Sequence, residues 1–314
     1  MGTLSNGLVE RRRDTAVIIC SRNRGERLCR ALTSLNEQTV PANRFETIVV
    51  DDASEDDTRE RVSALAPSMP NLRLVTLTER TGLAGARNAG VASCTAPYLL
   101  FTDDDCVPSG DWVSRMRAAL ETEGIVAGAV GSFERGYFAL CHDVAQFYAF
   151  LPCREAGRVQ FIAGANMGIR REVLERVGGF RRTTPHAEDM EFILRAREAG
   201  YSPWFAPDAV VVHDHRRTSF SDVIGYAANH AESTVHLRQQ YRDLLRTPRV
   251  LRSPALLLAA SPLIALKVSA GIFLNGNGMS RFWRTAPVVY LTKLAWCVGA
   301  ARGLRKHREA SPTS

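Results

Sequence analysis

Three consecutive aspartates, Asp103 to Asp105, follow a short apolar run at residues 97–101, and this arrangement constrains the chain more than any other segment. Adjacent carboxylates repel one another, so a cation is their expected company. On an extended backbone Asp103 and Asp105 point to one side and Asp104 to the other, which gives two oxygen donors at a spacing suited to a hard divalent ion. The sequence therefore predicts an Mn²⁺ or Mg²⁺ site here, with an acidic loop as the alternative.

Strand-like and helix-like stretches alternate through the first part of the chain. Apolar runs at 15–20, 45–50, 72–77 and 97–101 are separated by helix-like stretches near 25–36, 56–65 and 83–92. This alternation predicts an α/β fold with a mainly parallel, doubly wound sheet and helices on both faces. Ligands of such sheets bind beyond the carboxyl ends of the strands. Neither a Gly-x-Gly-x-x-Gly nor a P-loop sequence is present, which argues against a dinucleotide dehydrogenase and a P-loop enzyme.

Length, charge and cysteine content narrow the kind of protein that the chain can be. The 314 residues suit one large α/β domain plus an appendage. Residues 1–215 carry 25 basic against 29 acidic residues, a net charge of −4, whereas residues 216–314 carry 15 against 4, a net charge of +11. The seven cysteines form no Cys-x-x-Cys pair, so reduced thiols are expected. We expect a cytoplasmic enzyme without a signal peptide and without a nucleic-acid partner.

Six segments in chain order carry a family resemblance. They read VIICSRNR (17–24), IVVDDASEDDT (48–58), GLAGARNAG (82–90), PYLLFTDDDC (97–106), HAED (186–189) and VVH (211–213). Their order and spacing resemble an inverting family 2 glycosyltransferase with the GT-A fold, over roughly residues 14–215. The resemblance implies transfer of a hexosyl or N-acetylhexosaminyl group from a nucleoside diphosphate sugar to a hydroxyl acceptor, either lipid-linked or a small-molecule glycoside.

The predicted donor site begins in the first two segments. The resemblance places a nucleobase contact at Asp52, while the alternative is a helix N-terminal carboxylate beside the natural cap Ser54. The turn after the first strand reads Ser21-Arg22-Asn23, where the family commonly has Pro-Thr-Tyr-Asn. An aromatic platform for the base is therefore missing, and the planar guanidinium of Arg22 is the candidate to stack in its place.

The diphosphate is expected near Arg87, Asp103 and Asp104. Arg87 lies in a glycine-rich helix start, where a cation and free backbone N–H groups both favour a diphosphate. The alternative for Arg87 is a surface ion pair.

Displacement at an anomeric carbon needs a base for the acceptor hydroxyl and a cation for the leaving diphosphate. The resemblance assigns the base to Asp189, with Glu188 as the second choice, although carboxylates are common in a first helical turn. It also implies that His213 joins Asp103 and Asp105 as a metal ligand, with His215 on the same strand face as the alternative. The segment that resembles the floor of the sugar and acceptor region comprises Gly164, Ala165 and Asn166.

The last third of the chain contains two interrupted apolar stretches. Residues 255–274 reach membrane-spanning length but include Pro262 and Lys267, and a lysine at mid-bilayer costs about 2.5 to 3.5 kcal/mol. Together with residues 286–301 and the neighbouring aromatic and basic residues, they predict helices lying on an anionic membrane at the inner face of the plasma membrane. The alternative is a packed helical subdomain. His230, in a polar helix before these stretches, reads as a surface residue.

The sequence therefore divides into a basic tail (1–13), a GT-A domain (14–215) and a basic helical region (216–314). A sugar nucleotidyltransferase is an alternative function, but it needs a glycine-rich basic loop after the first strand, where this chain has only Gly25. The other alternative is a nucleotide-sugar-binding module without turnover. The set of Asp103, Asp105, Asp189 and His213 argues against it.

Overall fold

The computed structural model describes residues 13–132, 136–182, 187–274 and 278–310. The strands are β1 Thr15–Ser21, β2 Phe45–Asp51, β3 Leu72–Thr76, β4 Tyr98–Asp103, β5 Cys106–Pro108, β6 Ile125–Ser132, β7 Gly157–Arg158, β8 Asn166–Arg170 and β9 Trp204–His213. The helices are α1 Gly25–Asn36, α2 Thr58–Leu65, α3 Gly82–Ala92, α4 Trp112–Leu120, α5 Tyr137–Phe147, α6 Arg171–Val177, α7 Glu188–Glu198, α8 Phe220–Gln240, α9 Pro254–Leu274 and α10 Ala286–Ala310.

The first four strands form a parallel half-sheet in the order β3-β2-β1-β4. Its strands are apolar along most of their length because helices cover a parallel sheet on both faces, and Ile18 of β1 lies in register with Ile48 and Phe101 on either side. The predicted strands and helices of this part agree with the structure to within two residues. One difference is that α2 begins at Thr58 after the cap position Asp57, so Ser54 is not its N-cap.

Antiparallel pairing completes the sheet and makes it mixed. Strand β8 runs antiparallel to both β4 and β6, β9 runs parallel to β6, and β5 and β7 pair antiparallel with β9. The predicted α/β class is confirmed. The β5–β9 pairing places Cys106 opposite His213, which brings the late histidine next to the three aspartates. The β8–β4 pairing places residue 166 beside Thr102 at the same sheet edge.

Helices α8, α9 and α10 form the C-terminal region, and α10 packs closely along α8. A Cβ atom at Gly299 or Gly303 would meet the backbone carbonyl oxygen of Ala228 or Glu232, so these glycines permit the close approach. The stretch 286–301 is therefore a packed helix, as the alternative interpretation expected. Val289 of α10 also joins the main hydrophobic core. The C-terminal region thus shares its core with the sheet, and the predicted division at residue 215 stays a prediction.

Helix α9 is the one described helix with the length and composition to cross a membrane, at a mean hydropathy of 1.9. Only 22% of its most apolar window is buried. Leu263 and Leu274 are 73% and 80% exposed, respectively. Helix α9 is thus mostly unburied, unlike a core helix.

Candidate active site

A cavity of about 680 Å³ opens at the carboxyl ends of β1, β2 and β4, where a doubly wound sheet binds its ligands. Its wall includes most of the predicted donor and metal residues, namely Ser21, Arg22, Asp52, Asp103, Asp104, Asp105 and His213. The predicted residues that do not line this cavity are Asn23, Arg87, Gly164, Ala165, Asn166, Glu188 and Asp189.

The three aspartates have three different environments. Asp103 ends β4, but residues 104 and 105 form a turn, so the extended geometry expected for all three is wrong beyond Asp103. Asp104 is 4% exposed and accepts hydrogen bonds from Ser21 Oγ at 2.7 Å and from Arg24 Nη1 at 3.0 Å. Burial raises the pKa of Asp104 to about 6, although the Arg24 charge opposes this rise. Asp104 therefore belongs to the supporting structure of the turn.

Asp105 faces His213, as the metal prediction requires. Asp105 Oδ1 lies 3.3 Å from His213 Nε2. Burial alone would raise the pKa of Asp105, but the hydrogen bond with His213 and the positive charges of His213, Arg24 and Arg27 together outweigh burial and lower the pKa. Burial would lower the pKa of His213, and the same contact raises it. Asp105 is thus held ionised beside an imidazole.

The donor set fits a divalent ion such as Mn²⁺. Ligand atoms of Asp105, Cys106 and His213 lie within 4.8 Å of one another. Burial raises the pKa of the Cys106 thiol well above its ordinary value, so this sulfur stays protonated and is a poor ligand. The buried Nδ1 of His213 has no hydrogen-bond partner among the described residues. Carboxylate oxygens from Asp103 and Asp105 with one imidazole nitrogen suit Mn²⁺ better than a softer metal.

His215, the alternative ligand, is held inside the protein. Its Nδ1 accepts a hydrogen bond from the Arg217 backbone N–H at 3.0 Å, and its Nε2 lies 3.2 Å from Asp143 Oδ1. The side chain has no exposed surface. The structure therefore favours His213 over His215 at the cavity.

Arg87 is a buried bridge between predicted site residues. It is 2% exposed, lies in the second turn of α3, and donates hydrogen bonds to Glu188 Oε1 at 2.6 Å and to Gly164 O at 3.1 Å. Asp103 Oδ1 accepts a longer bond from it at 3.4 Å. Arg87 lies in the predicted helix, but its ion pair is buried, so the alternative of a surface ion pair is wrong. A diphosphate contact stays a prediction that this paired, buried geometry does not favour.

Glu188 and Asp189 begin α7 and differ in accessibility. Glu188 is 4% exposed and paired with Arg87, and burial raises its pKa to about 7 against the opposing Arg87 charge. Asp189 is partly exposed, and its Oδ2 accepts a hydrogen bond from the Gly164 backbone N–H at 2.9 Å. A Cβ at Gly164 would lie 2.5 Å from Asp189 Oδ2, so a larger residue there would displace the Asp189 carboxylate. His186, the first residue of this motif, lies outside the described residues.

Asp52 organises the loop that leads into α3. Its Oδ1 accepts hydrogen bonds from the Thr81 backbone N–H at 2.6 Å and the Thr81 hydroxyl at 2.9 Å, and its Oδ2 accepts one from the Gly82 N–H at 2.9 Å. Gly82 has a φ of 72°, which favours glycine. Asp52 therefore caps α3 rather than α2. Its nucleobase contact stays a prediction.

Arg22 and Asn23 are joined through Glu55. Arg22 Nη2 lies 2.8 Å from Glu55 Oε1, and Asn23 Oδ1 accepts a hydrogen bond from the Glu55 backbone N–H at 2.8 Å. Arg22 remains on the cavity wall, where stacking on a base stays a prediction.

Hydrogen bonds from segment 164–166 connect it to the neighbouring strands and to α4. Ala165 O accepts a hydrogen bond from Thr102 Oγ1 at 2.9 Å. Asn166 is fully buried, donates to Ala129 O and Ala209 O at 2.8 Å each, and accepts from Trp112 Nε1 at 2.9 Å. These bonds occupy its amide group, so Asn166 joins β8 to β6, β9 and α4, and its place in the sugar and acceptor region stays a prediction.

The sequence interpretation missed one wall of the cavity, which α8 and the turn before it supply. Arg217, Tyr226 and His230 line the cavity together with Asn229 and Ser233. The rings of Tyr226 and His230 are stacked with centroids 5.7 Å apart, and the Arg217 guanidinium lies 4.0 Å from the Tyr226 centroid. The i,i+4 spacing of Tyr226 and His230 places both on one helix face and was the available signal. The prediction that His230 is a surface residue is thus wrong.

Comparison with known proteins identifies the family. Residues 16–178 match the family model described as Glycosyl transferase family 2, and residues 98–301 match Glycosyl transferase family group 2. The chain belongs to glycosyltransferase family 2. It is 28% identical over 203 residues to the glycosyltransferase AglE of Haloferax volcanii, covering 64% of this chain and 67% of that protein. It is 28% identical over 309 residues to the pre-mycofactocin glycosyltransferase of Mycobacterium tuberculosis, covering 93% of this chain but only 62% of the relative.

Solved structures confirm the GT-A fold. The mannosyltransferase PcManGT from Pyrobaculum calidifontis, in complex with GDP-Man and Mn²⁺, superimposes with a TM-score of 0.57 at 23% identity, covering 96% of this chain and 77% of that one. TarS 1–349 of S. aureus superimposes with a TM-score of 0.51 at 14% identity, covering 95% of this chain and 92% of that one. At these identities the likeness concerns the fold alone.

Proposed function

We propose that this family 2 glycosyltransferase is a metal-dependent, inverting enzyme that transfers a hexosyl or N-acetylhexosaminyl group from a nucleoside diphosphate sugar to a hydroxyl acceptor. The observation that carries the proposal is the contact of Asp105 with His213 over 3.3 Å on the cavity wall. The bound GDP-Man and Mn²⁺ of the mannosyltransferase with the same fold support the donor class and the metal.

Asp189 is the proposed base. It is the more accessible of the two acids at the start of α7, and its orientation is fixed by the Gly164 N–H. In the proposed step, Asp189 takes the proton of the acceptor hydroxyl while that oxygen bonds to the anomeric carbon and the bond to the diphosphate oxygen breaks. Glu188 is unsuited to this role because Arg87 engages its carboxylate.

Asp103, Asp105 and His213 are the proposed metal ligands. A divalent ion held there supplies positive charge to the leaving diphosphate. The protein's own contribution is to present the Asp103 carboxylate at the end of β4, the Asp105 carboxylate in the following turn and the His213 imidazole at the end of β9. One displacement with one base inverts the anomeric centre.

We also propose that the enzyme works at the cytoplasmic face of an anionic membrane, where a lipid-linked acceptor is available. The support is the exposed apolar surface of α9 and the adjacent turn, where Leu263, Leu274 and Trp283 are 73%, 80% and 65% exposed. Lys267, Arg281 and Arg284 lie within or beside this surface. Aromatic and basic residues around an apolar helix surface are typical of interfacial binding.

A panel of nucleotide sugars tests the proposed function. Each donor is incubated with Mn²⁺ and a set of hydroxyl acceptors, and diphosphate release is measured together with thermal stabilisation of the protein. The anomeric configuration of the product is read by NMR, and an α-linked donor is expected to give a β-linked product. A trapped glycosyl-enzyme, or an α-linked product from an α-linked donor, would contradict the inverting mechanism.

A further inference from the structure

Two partly buried cations in the C-terminal helices have no carboxylate partner among the described residues. The Arg238 guanidinium of α8 lies 5.3 Å from the Trp296 ring centroid and 5.9 Å from that of Phe161, and its buried Nε has no hydrogen-bond partner there. Lys293 Nζ of α10 donates to the backbone carbonyl of Ala145 at 2.7 Å. In contrast, the buried cations Arg87 and Arg195 both form ion pairs with glutamates.

A cation removed from water without an anion is unfavourable. Burial and, to a smaller extent, the Arg238 charge together lower the pKa of Lys293 to about 8. Burial also lowers the pKa of Arg238. The two positive charges therefore act on one another in a site surrounded by aromatic rings, and an anion from solution would relieve both.

This basic pair is connected to the active-site cavity through His230. His230 and Arg238 are eight residues apart on α8, which places them two turns apart on the same broad side of the helix. Burial lowers the pKa of His230, the Asp189 charge raises it, and the Arg238 and Lys293 charges lower it again. His230 thus lies within electrostatic reach of both the proposed base and the basic pair. Eight residues of helix separate His230 from Arg238 by about 12 Å.

We propose that Arg238 and Lys293 bind an oxyanion of the acceptor, such as a phosphate ester or a carboxylate, about 12 Å along α8 from the cavity wall. The inference rests on the proposed function and names its acceptor class: an acidic molecule whose reactive hydroxyl reaches Asp189 while its anion occupies the basic pair. Guanidinium and ammonium groups both form charge-assisted hydrogen bonds with such oxyanions. Trp296, Phe161 and the partly exposed Tyr148 supply apolar surface beside the anion.

Binding of inorganic phosphate tests the site without turnover. Phosphate is titrated into the full-length protein by calorimetry, comparing wild type with Arg238→Gln and Lys293→Met. The matched control is Arg302→Gln, which removes an exposed cation from the same helix as Lys293. Wild type and Arg302→Gln are expected to bind phosphate equally, and each site variant at least about tenfold more weakly. Arg238→Lys, which keeps the charge, is expected to retain more binding than Arg238→Gln. Equal binding in all proteins, or none in wild type, would overturn the proposal.

Matched acceptors extend the test to transfer. Octyl glucoside is compared with octyl glucuronide, which differs by one carboxylate, and glucose with glucose 6-phosphate. Wild type is expected to prefer the anionic member of a pair, and Arg238→Gln to raise the KM for that member at least about tenfold, whereas Arg302→Gln leaves this KM unchanged. No preference for either anionic acceptor would overturn the proposal.

Two further measurements distinguish failure of the proposed function from failure of the anion site, and a lipid headgroup from a soluble acceptor as the source of the anion. If no donor gives diphosphate release, the proposed function fails. The phosphate titration still tests whether Arg238 and Lys293 bind an anion, because it does not depend on turnover. Competition with inorganic phosphate by phosphatidic acid vesicles would identify a lipid headgroup as the source, and competition by glucose 6-phosphate alone would identify a soluble acceptor.

Discussion

Arg87 of α3 donates a hydrogen bond to Glu188 of α7 over 2.6 Å, and the two side chains are 2% and 4% exposed. The same guanidinium reaches the carbonyl of Gly164, whose N–H orients Asp189. One buried cation therefore connects α3 to the start of α7, the helix that carries the proposed base. A buried ion pair of this kind is sensitive to the loss of either partner.

We predict that Arg87→Met lowers the free energy of unfolding by about 3 to 5 kcal/mol, because it leaves the Glu188 carboxylate buried without a cation. Urea denaturation measures the change. The double variant Arg87→Met with Glu188→Gln is expected to recover part of the loss, since it also removes the unpaired charge. Unchanged stability with lost donor affinity would instead support the diphosphate contact that the sequence predicted for Arg87.

The metal site gives a second prediction. Asp105→Asn is expected to lower the rate of diphosphate release by orders of magnitude at saturating donor, because a bound divalent ion contributes several kcal/mol to stabilising the leaving group. Asp104→Asn is the matched comparison, and a smaller loss is expected because Asp104 faces Ser21 and Arg24. Mn²⁺ titrations of both variants give the measurement. Full wild-type activity in the presence of a chelator, or a larger loss at Asp104, would show that the ligands are misassigned.

The base assignment gives a third prediction. Asp189→Asn is expected to reduce transfer by about 10² to 10⁴ while donor affinity stays within a few fold, because general base catalysis acts on the rate rather than on ground-state binding. Donor affinity measured by calorimetry is the control. Glu188→Gln provides the comparison at the neighbouring acid. If it abolishes transfer and Asp189→Asn does not, the two roles are exchanged.

The sequence predicted those features that depend on local pattern. Strands β1 to β4 and helices α1 and α3 follow from runs of apolar residues and from the alternation of strand-like and helix-like stretches. The position of the aspartates follows from the end of β4. The antiparallel β8 was not predictable, because its partners β4 and β6 are distant in sequence. The contacts of Arg87 and Asn166 also depend on tertiary packing, since a charged or amide side chain carries no local signal of whether it is buried.

The α8 wall of the cavity shows a second limit of prediction from the sequence. Tyr226 and His230 have the spacing of a shared helix face, but nothing local shows that this face is directed toward the cavity. That direction is set by α10, which packs along α8 through Gly299 and Gly303. Arg238 of α8 and Lys293 of α10 are likewise brought near each other by this helix packing, although they are 55 residues apart in the chain.

Membrane binding gives a fourth prediction. The full chain is expected to sediment with phosphatidylglycerol-containing vesicles, and high salt is expected to release only a fraction, because each surface cation contributes about 1 kcal/mol and apolar insertion is insensitive to salt. Leu263→Glu combined with Leu274→Glu should abolish sedimentation. Leu291→Glu, at a 39% exposed position on α10, is the control. Truncation is a poorer test because Val289 belongs to the main core. Equal recovery of wild type and the double variant in the supernatant would contradict membrane binding.

The buried Lys293 predicts a pH dependence of stability. Its pKa is lowered in the folded protein from 10.5 to about 8, mainly by burial. Between these two values the unfolded chain binds more protons than the folded one, so the free energy of unfolding rises with pH across this window, by at most about 3 kcal/mol. Below about pH 8 the unfavourable contribution is fully present.

We therefore expect Lys293→Met to be more stable than wild type at pH 7 in phosphate-free buffer, and the difference to shrink as the pH approaches 10.5. Chemical denaturation across this range is the measurement, and Lys267→Gln, at an exposed lysine of α9, is the control. Added phosphate should narrow the difference at pH 7, because an anion beside Lys293 and Arg238 favours the protonated amine. A difference that does not vary with pH would show that Lys293 titrates normally and is not desolvated.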